Sequence, residues 1–273
     1  PAELDEAVAR ALAARDAGAL DRLAASYDQD APDPGAAGRL RALAASPDPL
    51  VGYLGKLIPA KGVDRFLLAL AGVPEARGLV VGFGTGREWL TALVLALEEG
   101  DARALGWLRE RGVGGGAVGG LPERAAGVGA GAPRFRERVA FTGRLEHRDV
   151  PDVLAALDVL VVPSTLPEAF GMVAAEGAAA GAIPLVARHS GLAEAAEALE
   201  AAAGTPGLCS FEPEAGAEGI ARGIRRILGL PPAERRRIRG ALAAFVAREW
   251  TWARTTERLL EAALGRPGER WRG

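Results

Sequence analysis

The sequence predicts an α/β fold, with helices on both faces of a doubly wound parallel sheet of about six strands. Three observations lead to this prediction: short apolar runs recur along the chain, helical patterns separate most of them, and the runs are continuous rather than alternating. A continuous apolar run is typical of a strand that is buried on both faces, as strands of a parallel sheet are. The 273 residues, of which 49% are hydrophobic, are enough to form such a core.

Residues 1–48 are predicted to form a helical linker or appendage ahead of the sheet. One or two amphipathic helices are expected over residues 3–26, then a turn-rich break over 28–38 and a short helix around 38–45. The first of these rests on apolar residues at near-helical spacing, which are Leu4, Val8, Leu12, Leu20 and Leu23.

Residues 49–273 carry the expected alternation of strands and helices. The predicted strands are apolar runs bounded by turn residues, at 51–55, 78–83, 138–143, 158–163, 182–187 and 207–211. The predicted helices lie at 63–71, 87–111, 149–157, 171–180 and 191–202, with three more at 214–228, 232–248 and 252–264. The glycine-rich stretch 112–133 cannot pack regularly, so it is interpreted as a flexible insertion on one face of the sheet.

Charge and cysteine content exclude several classes of function. The net charge of −2 argues against nucleic acid as the main partner, because phosphate backbones select a strongly basic surface. The single cysteine, Cys209, allows neither an intrachain disulfide nor a cysteine-based metal cluster. No apolar run reaches the ~18 residues of a membrane-spanning helix, and the acidic, helix-forming start is unlike a signal peptide. A cytoplasmic location is expected, and the start at Pro1 suggests a piece of a longer protein.

Candidate ligand-binding residues follow the predicted strands, because ligands of an open parallel sheet bind beyond the carboxyl ends of its strands. After the first strand, GKLIPAKG contains Gly55, which allows a tight exit, and two lysines, Lys56 and Lys61. Two ammonium groups beside the free amides of a helix start make a site for a diphosphate. The alternative is that they are two surface lysines on a loop.

Two further loops are weaker candidates. After the second strand, GFGTGRE lacks both GxGxxG and a Walker lysine, so a plain glycine turn is the favoured interpretation, although Gly82 could let a sugar or phosphate approach the backbone. After the third strand, Arg144 and Leu145 should lie at the carboxyl end of the sheet. His147 is either a ligand group or an exposed loop residue, and Asp149 is expected to cap the next helix.

The loop after the fourth strand carries the most specific pattern, PEAFGMVAAEGAAAG. The free amides of Phe170, Gly171 and Met172 are expected at the positive end of a helix dipole, which favours anions. Glu168 is either a ligand group or a plain partner of that dipole. Glu176 lies eight residues further on, and burying it without a partner would be costly, so a pair of ligand hydroxyls is its expected partner.

The loop after the fifth strand brings three more polar residues to the same edge. These are His189, Ser190 and Glu194, with Ser190 equally plausible as the N-cap of the next helix. GxSxG and HExxH motifs are absent from the sequence, which argues against hydrolase triads and zinc sites, and without a DxD motif at a strand end no metal is expected.

Taken in order, these segments resemble the nucleotide-binding half of retaining glycosyltransferases of family 4, whose GT-B architecture consists of two facing Rossmann-like domains. The most specific feature is the pair of glutamates eight positions apart with Phe-Gly between them. REWTWARTTERLLE (248–261) resembles the last helix of the family. The matching segments are GKLIPAKGVDRFLLAL, VVGFGTGRE, the run from Arg138 to Ala187, and HSGLAE, in the order of the family over about residues 50–200.

The resemblance implies roles for the charged residues. Lys56 and Lys61 would hold the donor diphosphate, although the first position is commonly arginine in the family, so Lys56 is a departure. Glu168 would lie beside the donor sugar and, with the two lysines, form the catalytic set. Glu176 would bind the ribose hydroxyls.

The resemblance also implies that backbone groups bind the donor. The amides of Phe170, Gly171 and Met172 would meet the sugar and phosphates, while Arg144 and Leu145 would line the base pocket. Gly55 and Gly82 belong to the same predicted substrate-binding set.

The implied function is donor binding in a retaining enzyme that transfers a hexosyl group from a nucleoside-diphosphate sugar, with UDP or GDP, to an acceptor hydroxyl. No cofactor or metal is expected, because lysines and helix amides would stabilise the departing diphosphate. The N-terminal acceptor-binding domain of the family is missing from this chain and would make any peripheral membrane contact, so the fragment is expected to be inactive alone. The alternatives are a non-catalytic nucleotide-binding Rossmann module and a nucleotide-sugar epimerase of GT-B type.

Overall fold

The computed structural model of the protein describes residues 2–112 and 135–264, without the side chain of Ala2. Apart from Gly112, which ends a helix, the predicted glycine-rich insertion lies outside these residues. Within them, no helix is long and apolar enough to cross a membrane.

The described chain forms one six-stranded, all-parallel sheet with the strand order β3-β2-β1-β4-β5-β6. The order runs outward from β1 to β3, then returns to β4 beside β1 and continues to β6, which confirms the predicted doubly wound fold. The point where the order reverses, the switch point, therefore lies between β1 and β4. The strands are β1 (Leu50–Leu54), β2 (Arg77–Val81), β3 (Val139–Phe141), β4 (Val159–Val162), β5 (Ile183–Ala187) and β6 (Ser210–Phe211).

Helices connect and cover the strands. The bounds are α1 (Ala2–Ala14), α2 (Ala17–Ala25), α3 (Ala36–Ala44), α4 (Val63–Ala71), α5 (Arg87–Glu99), α6 (Ala102–Arg111), α7 (Phe135–Arg138), α8 (Val150–Ala156), α9 (Met172–Ala180), α10 (Ser190–Ala203), α11 (Gly216–Leu228), α12 (Pro232–Glu249) and α13 (Trp252–Ala263). Short 3₁₀ turns occupy Pro59–Lys61 and Pro213–Ala215. Helix α11 packs on α4, and α12 packs on α9 and α10.

Continuous apolar sequence and burial on both faces go together in this sheet. All residues of β2 to β6 are buried, and β1 is buried up to its last residue. The parallel strands have helices on both sides, so no strand face needs the polar alternation of a solvated sheet.

One predicted helix is wrong in its extent. The pattern over residues 87–111 predicts a single helix, whereas the chain forms α5 and α6. Gly100 ends α5, and the side chain of Asp101 caps α6 by accepting hydrogen bonds from the amides of Arg103 (2.9 Å) and Ala104 (3.0 Å). A glycine followed by an aspartate is a helix stop and start signal that the apolar periodicity conceals.

The N-terminal helices share the core of the sheet. Helices α1 and α2 pack against α5 and bury Val8 and Leu20 completely in the same hydrophobic cluster as the strands. The segment after α2 reaches the edge strand, where the Asp33 amide donates to the Thr142 carbonyl at 2.8 Å. The division of the chain at residue 48 stays a prediction.

Candidate functional site

The candidate site lies at the switch point, where the loops that follow β1 and β4 pack together. The Thr165 amide of the second loop donates to the Ala60 carbonyl of the first at 2.9 Å. Gly62 lies so close to the other loop that a Cβ atom on it would stand 2.1 Å from the Pro163 carbonyl oxygen. Its left-handed backbone, with φ +66°, also favours glycine. This close packing brings the end of the first loop against the start of the second.

The Lys61–Glu168 ion pair joins these two loops. The Lys61 ammonium donates to Oε1 of Glu168, and the Ser164 hydroxyl donates to the same oxygen at 2.5 Å. Both of these donors hydrogen-bond to Oε1, so Oε2 of Glu168 is available to a ligand. Partial burial opposes ionisation of Glu168, but the hydrogen bonds from Lys61 and Ser164 outweigh it and hold its pKa below the ordinary value. Glu168 is therefore a carboxylate at neutral pH.

The loop after β5 holds Glu168 from the other side. The Glu168 amide donates to the Ser190 hydroxyl at 2.9 Å, and the Gly191 amide donates to the Glu168 carbonyl at 3.0 Å. His189 contacts the Ser190 hydroxyl through Nδ1 at 3.0 Å and the Ser164 carbonyl through Nε2 at 2.8 Å. Three loops at the carboxyl edge of the sheet thus converge on Glu168, two of them on its carboxylate and the third on its main chain.

Ser190 does not have the N-cap role that was its alternative. His189 occupies the N-cap position of α10 without a side-chain cap, Ser190 is the first helical residue, and its hydroxyl reaches across to the Glu168 amide. Glu194 is exposed on α10 and does not join this cluster. Ser164 is a residue of the candidate site that was not predicted, although a Ser-Thr pair just after a buried strand is a signal for it.

The two predicted lysines have different surroundings. Lys61 is half-buried against Glu168, whereas the Lys56 side chain is exposed and bonds to none of the described residues. The turn that carries Lys56 is nevertheless fixed, because the Tyr53 hydroxyl donates to the Lys56 carbonyl at 2.8 Å. Burial, with the nearby Glu168 charge, raises the pKa of that hydroxyl, which therefore stays protonated as the donor.

Gly82 lacks a side chain for a reason other than ligand approach. With φ +148°, a Cβ atom on Gly82 would stand 1.7 Å from the Gly55 carbonyl oxygen, so its missing side chain lets the loops after β1 and β2 pack together. The backbone of Gly55 is held against the end of β2, because its amide donates to the Val81 carbonyl at 3.0 Å. This packing favours the plain glycine turn, and a ligand contact at either glycine stays a prediction.

The start of α9 presents backbone groups and exposed side chains at the same edge. Helix α9 begins at Met172, after Gly171 at its N-cap, and no described residue accepts a hydrogen bond from the amides of Phe170, Gly171 or Met172. The Phe170 ring lies edge-on against Trp250 at 4.9 Å, which ties this turn to the end of α12. These amides are therefore available to an anion.

Glu176 is exposed, so the expectation that it is buried is wrong. The small apolar residues around it predict a buried helix in which Glu176 would need a partner, but the carboxylate is solvated. Other residues of α9 face the sheet, as Gly177 does where it rests against Leu160 of β4. Because water stabilises this charge, its contact with ribose hydroxyls stays a prediction without support from burial.

Arg144 and Leu145 lie beyond β3, as predicted. The Arg144 guanidinium lies 5.4 Å from the centre of the Phe83 ring and pairs with Asp30 at 3.3 Å, while Leu145 is half-buried against the core. His147 is exposed and has no partner among the described residues. Asp149 stands at the N-cap of α8 but makes no capping hydrogen bond.

The described residues contain no group of three or more His, Cys, Asp or Glu side chains that could hold a metal ion. The charged groups at the switch point are instead a lysine and a carboxylate, beside free helix amides. This combination can bind an anion next to a group that accepts hydrogen bonds.

Comparison with known proteins identifies a related sequence family. Residues 132–242 match the sequence model of a family described as Glycosyl transferases group 1. The match includes Ser164, Glu168, Glu176 and Ser190, and it begins after Lys61. No curated protein matches the sequence.

Solved structures share the fold. Sucrose-phosphate synthase from Thermosynechococcus elongatus is 23% identical with a TM-score of 0.52, covering 86% of this chain and 49% of that one. HepE from Anabaena, in complex with UDP-glucose, is 19% identical with a TM-score of 0.57, covering 85% of this chain and 53% of that one. The C-terminal domain of LpcC from Francisella tularensis, a glycosyl transferase group 1 family protein, is 18% identical with a TM-score of 0.52, covering 78% of this chain and 93% of that one.

The chain corresponds to about half of two of these structures and to nearly all of the third. The chain spans about half the length of the synthase and of HepE, at 49% and 53%, but nearly all of the isolated C-terminal domain, at 93%. The described chain therefore has the Rossmann-like fold of one half of a GT-B protein, and residues 132–242 carry the sequence pattern of group 1 glycosyl transferases.

Proposed function

We propose that this chain is the donor-binding domain of a retaining glycosyltransferase of family 4, which transfers a hexosyl group from a nucleoside-diphosphate sugar to an acceptor hydroxyl. The observation that carries the proposal is the Lys61–Glu168 pair at the switch point, next to the free amides at the start of α9. The match of residues 132–242 to group 1 glycosyl transferases supports the reaction class.

The diphosphate binds at the positive end of α9. Lys61 and the amides of Phe170, Gly171 and Met172 supply hydrogen bonds, and the exposed Lys56 swings in from the turn after β1. These groups stabilise the negative charge that grows on the diphosphate as the bond to the sugar breaks, which is the main electrostatic demand of the reaction. No metal ion is required in this scheme.

Glu168 contacts the donor sugar in the same site. Its Oε1 oxygen is occupied by Lys61 and Ser164, so Oε2 accepts a hydrogen bond from a sugar hydroxyl. The carboxylate charge also stabilises positive charge developing at the anomeric carbon. When the diphosphate arrives, Lys61 lies between two anionic partners and fixes the sugar relative to its leaving group.

Acceptor binding belongs to a domain outside this chain. Retaining transfer needs the acceptor hydroxyl held against the anomeric carbon, and that positioning supplies much of the acceleration. In the GT-B architecture the facing domain contributes that side of the cleft. A cytoplasmic location fits the single buried cysteine.

The test is a binding series in EDTA with UDP, GDP, ADP and their glucose derivatives, measured by calorimetry on the purified chain. UDP and UDP-glucose come first, because HepE was crystallised with UDP-glucose. Lys61→Ala should weaken diphosphate binding about tenfold or more, since a charge-assisted hydrogen bond contributes about 1.5–3 kcal/mol. Arg222→Ala is the matched control, because it removes an exposed cation of α11 that pairs with Glu218.

The lysine content of the chain allows a second readout. Lys56 and Lys61 are its only lysines, so reductive ¹³C-methylation yields two lysine dimethylamine signals. A nucleoside diphosphate should shift the Lys61 signal, assigned through the Lys61→Ala variant. Absence of binding for every nucleotide, or binding that strictly requires Mg²⁺ or Mn²⁺, would refute the proposal.

A further inference from the structure

A closed ring of hydrogen bonds surrounds Glu168, here called the Glu168 ring. Its members are Ser164, Glu168, His189 and Ser190. Ser164 bonds to the carboxylate, the Glu168 amide bonds to the Ser190 hydroxyl, that hydroxyl contacts His189, and His189 returns to the Ser164 carbonyl. The ring therefore fixes both the main chain and the side chain of one residue.

The chemistry of one acceptor fixes the proton on Nε2 of His189 in this ring. The Ser164 carbonyl can only accept, so His189 carries a proton on Nε2. The Ser190 hydroxyl accepts from the Glu168 amide and, when the imidazole is neutral, donates its own proton to the unprotonated Nδ1. A neutral imidazole in the Nε2–H form satisfies every bond, and the other neutral tautomer would break the bond to Ser164.

Ser190 adopts a conformation that disfavours its residue type. Its φ is +49°, and among the described residues only Arg15 is another non-glycine with a positive φ. A side chain in the left-handed region strains the backbone, and such strain persists where the surroundings over-determine it. Here the neighbouring Gly191 is clamped as well, because its amide bonds to the Glu168 carbonyl and a Cβ atom would stand 2.1 Å from the Ala169 carbonyl oxygen.

We propose that His189 and Ser190 are positioning residues that hold the Glu168 carboxylate at the sugar side of the donor site. They thereby set how strongly the chain prefers a nucleotide sugar over the bare nucleoside diphosphate. This inference rests on the proposed function. The serine is kept in a strained conformation because glycine, which would relieve the strain, supplies no hydroxyl for the Glu168 amide and His189.

A pair of substitutions at one position separates the hydroxyl from the strain. Ser190→Ala removes the hydroxyl and keeps the strain, whereas Ser190→Gly removes both. The melting temperatures of the two variants should therefore differ, with Ser190→Gly the more stable. If the hydroxyl positions Glu168, both variants should show the same loss of function in spite of this difference. Ser26→Ala is the control, because Ser26 donates its hydroxyl to the Leu23 carbonyl at 2.8 Å away from the site.

The functional readout is the ratio of the affinities for UDP-glucose and UDP. Losing one neutral hydrogen bond weakens an interaction about two- to tenfold. We expect this ratio to fall by about that factor in both Ser190 variants and in His189→Ala, with UDP affinity retained and Ser26→Ala unchanged. A ratio that follows the melting temperature across the variants, or stays constant while the wild type binds, would overturn the proposal.

A readout without any ligand is the ¹⁵N NMR spectrum of the imidazoles. The chain has two histidines, so His147→Gln assigns the signals of His189. The wild type should show the Nε2–H tautomer of His189 alone, and in both Ser190 variants the Nδ1 signal should shift, because that nitrogen loses its hydrogen bond to the Ser190 hydroxyl while Nε2–H keeps the Ser164 carbonyl. A mixture in the wild type would overturn the ring. If the wild type binds no nucleotide, the proposed function fails and the discrimination with it, whereas the imidazole spectra still decide whether the ring holds Glu168.

Discussion

Replacing Gly62 by alanine tests the packing of the two loops that build the candidate site. A Cβ atom at this position would stand 2.1 Å from the Pro163 carbonyl oxygen, well inside any contact that carbon and oxygen tolerate. To relieve the overlap, the loop after β1 must move by about 1 Å away from the loop after β4. That movement pulls Lys61 from Glu168 and the Ala60 carbonyl from the Thr165 amide.

The chain offers a control that is matched in backbone conformation. Gly62 has φ +66° and ψ 27°, and Gly204, at the end of α10, has φ +67° and ψ 28°. A Cβ atom on Gly204 would meet nothing within 4 Å. Gly204→Ala therefore measures the cost of a left-handed alanine alone, which is about 1–2 kcal/mol. Gly62→Ala carries the same cost plus that of separating the loops.

The difference between the two variants is the quantity to measure. The neutral Thr165–Ala60 hydrogen bond contributes about 0.5–1.5 kcal/mol, and the ion pair about 0.2–1 kcal/mol after allowance for its partial exposure. With some loss of packing, Gly62→Ala should lose about 1–3 kcal/mol more than Gly204→Ala. This corresponds to a melting temperature about 2–12 °C lower, at 2–4 °C per kcal/mol.

The assay is urea unfolding followed by circular dichroism, with nucleotide binding measured on the same samples. Gly62→Ala should also weaken nucleoside-diphosphate binding, because Lys61 no longer stands beside the start of α9, whereas Gly204→Ala should bind as the wild type does. Equal losses of stability in the two variants, with binding unaffected in both, would refute the close packing of these loops and the site built on it.

The remaining predictions concern three other features. Glu176→Gln should weaken nucleotide binding, measured by calorimetry, if the carboxylate holds ribose hydroxyls. The melting temperature without ligand, measured by thermal unfolding, should stay within a few degrees because Glu176 is exposed. Burial raises the pKa of Glu88, which is 1% exposed, from 4.5 to about 7. The protonated form therefore contributes about 3 kcal/mol of stability below pH 4.5, which should be lost as the pH rises to about 7. Glu88→Gln should remove this pH dependence of the free energy of unfolding in urea. The chain alone should hydrolyse a bound donor only slowly and transfer no sugar, because under the proposed function the acceptor is bound by a domain outside this chain; robust acceptor-dependent transfer by the chain would contradict the two-domain interpretation.

The loops after the predicted strands gave the candidate residues, the family resemblance gave their expected roles, and the structure shows which of them are in contact. Lys61 and Glu168 are 107 positions apart in sequence, yet they form an ion pair. Lys56 and Glu176 remain solvated, so the sequence pattern alone supports their roles. The missing side chain of Gly82 accommodates the Gly55 carbonyl, so packing alone explains this glycine and its contact with a ligand stays a prediction.

The sequence by itself determined the elements and the edge at which function is expected. Apolar runs and helical periodicity are local properties, recorded within a few neighbouring residues, so strands and helices could be located to within a few residues, apart from the α5–α6 break and the short helix α7. A chain that alternates strands and helices also forces the loops after the strands to one edge of a parallel sheet.

Only the tertiary structure decided which side chains meet at that edge. The partners of Glu168 come from the loops after β1, β4 and β5, and their contact depends on the strand order and on close approaches such as that of Gly62 to Pro163. The exposure of Glu176 and the strained conformation of Ser190 depend on the same packing. Such contacts join residues far apart in the chain, and no local pattern records them, because each segment would have the same periodicity whichever loop lay beside it.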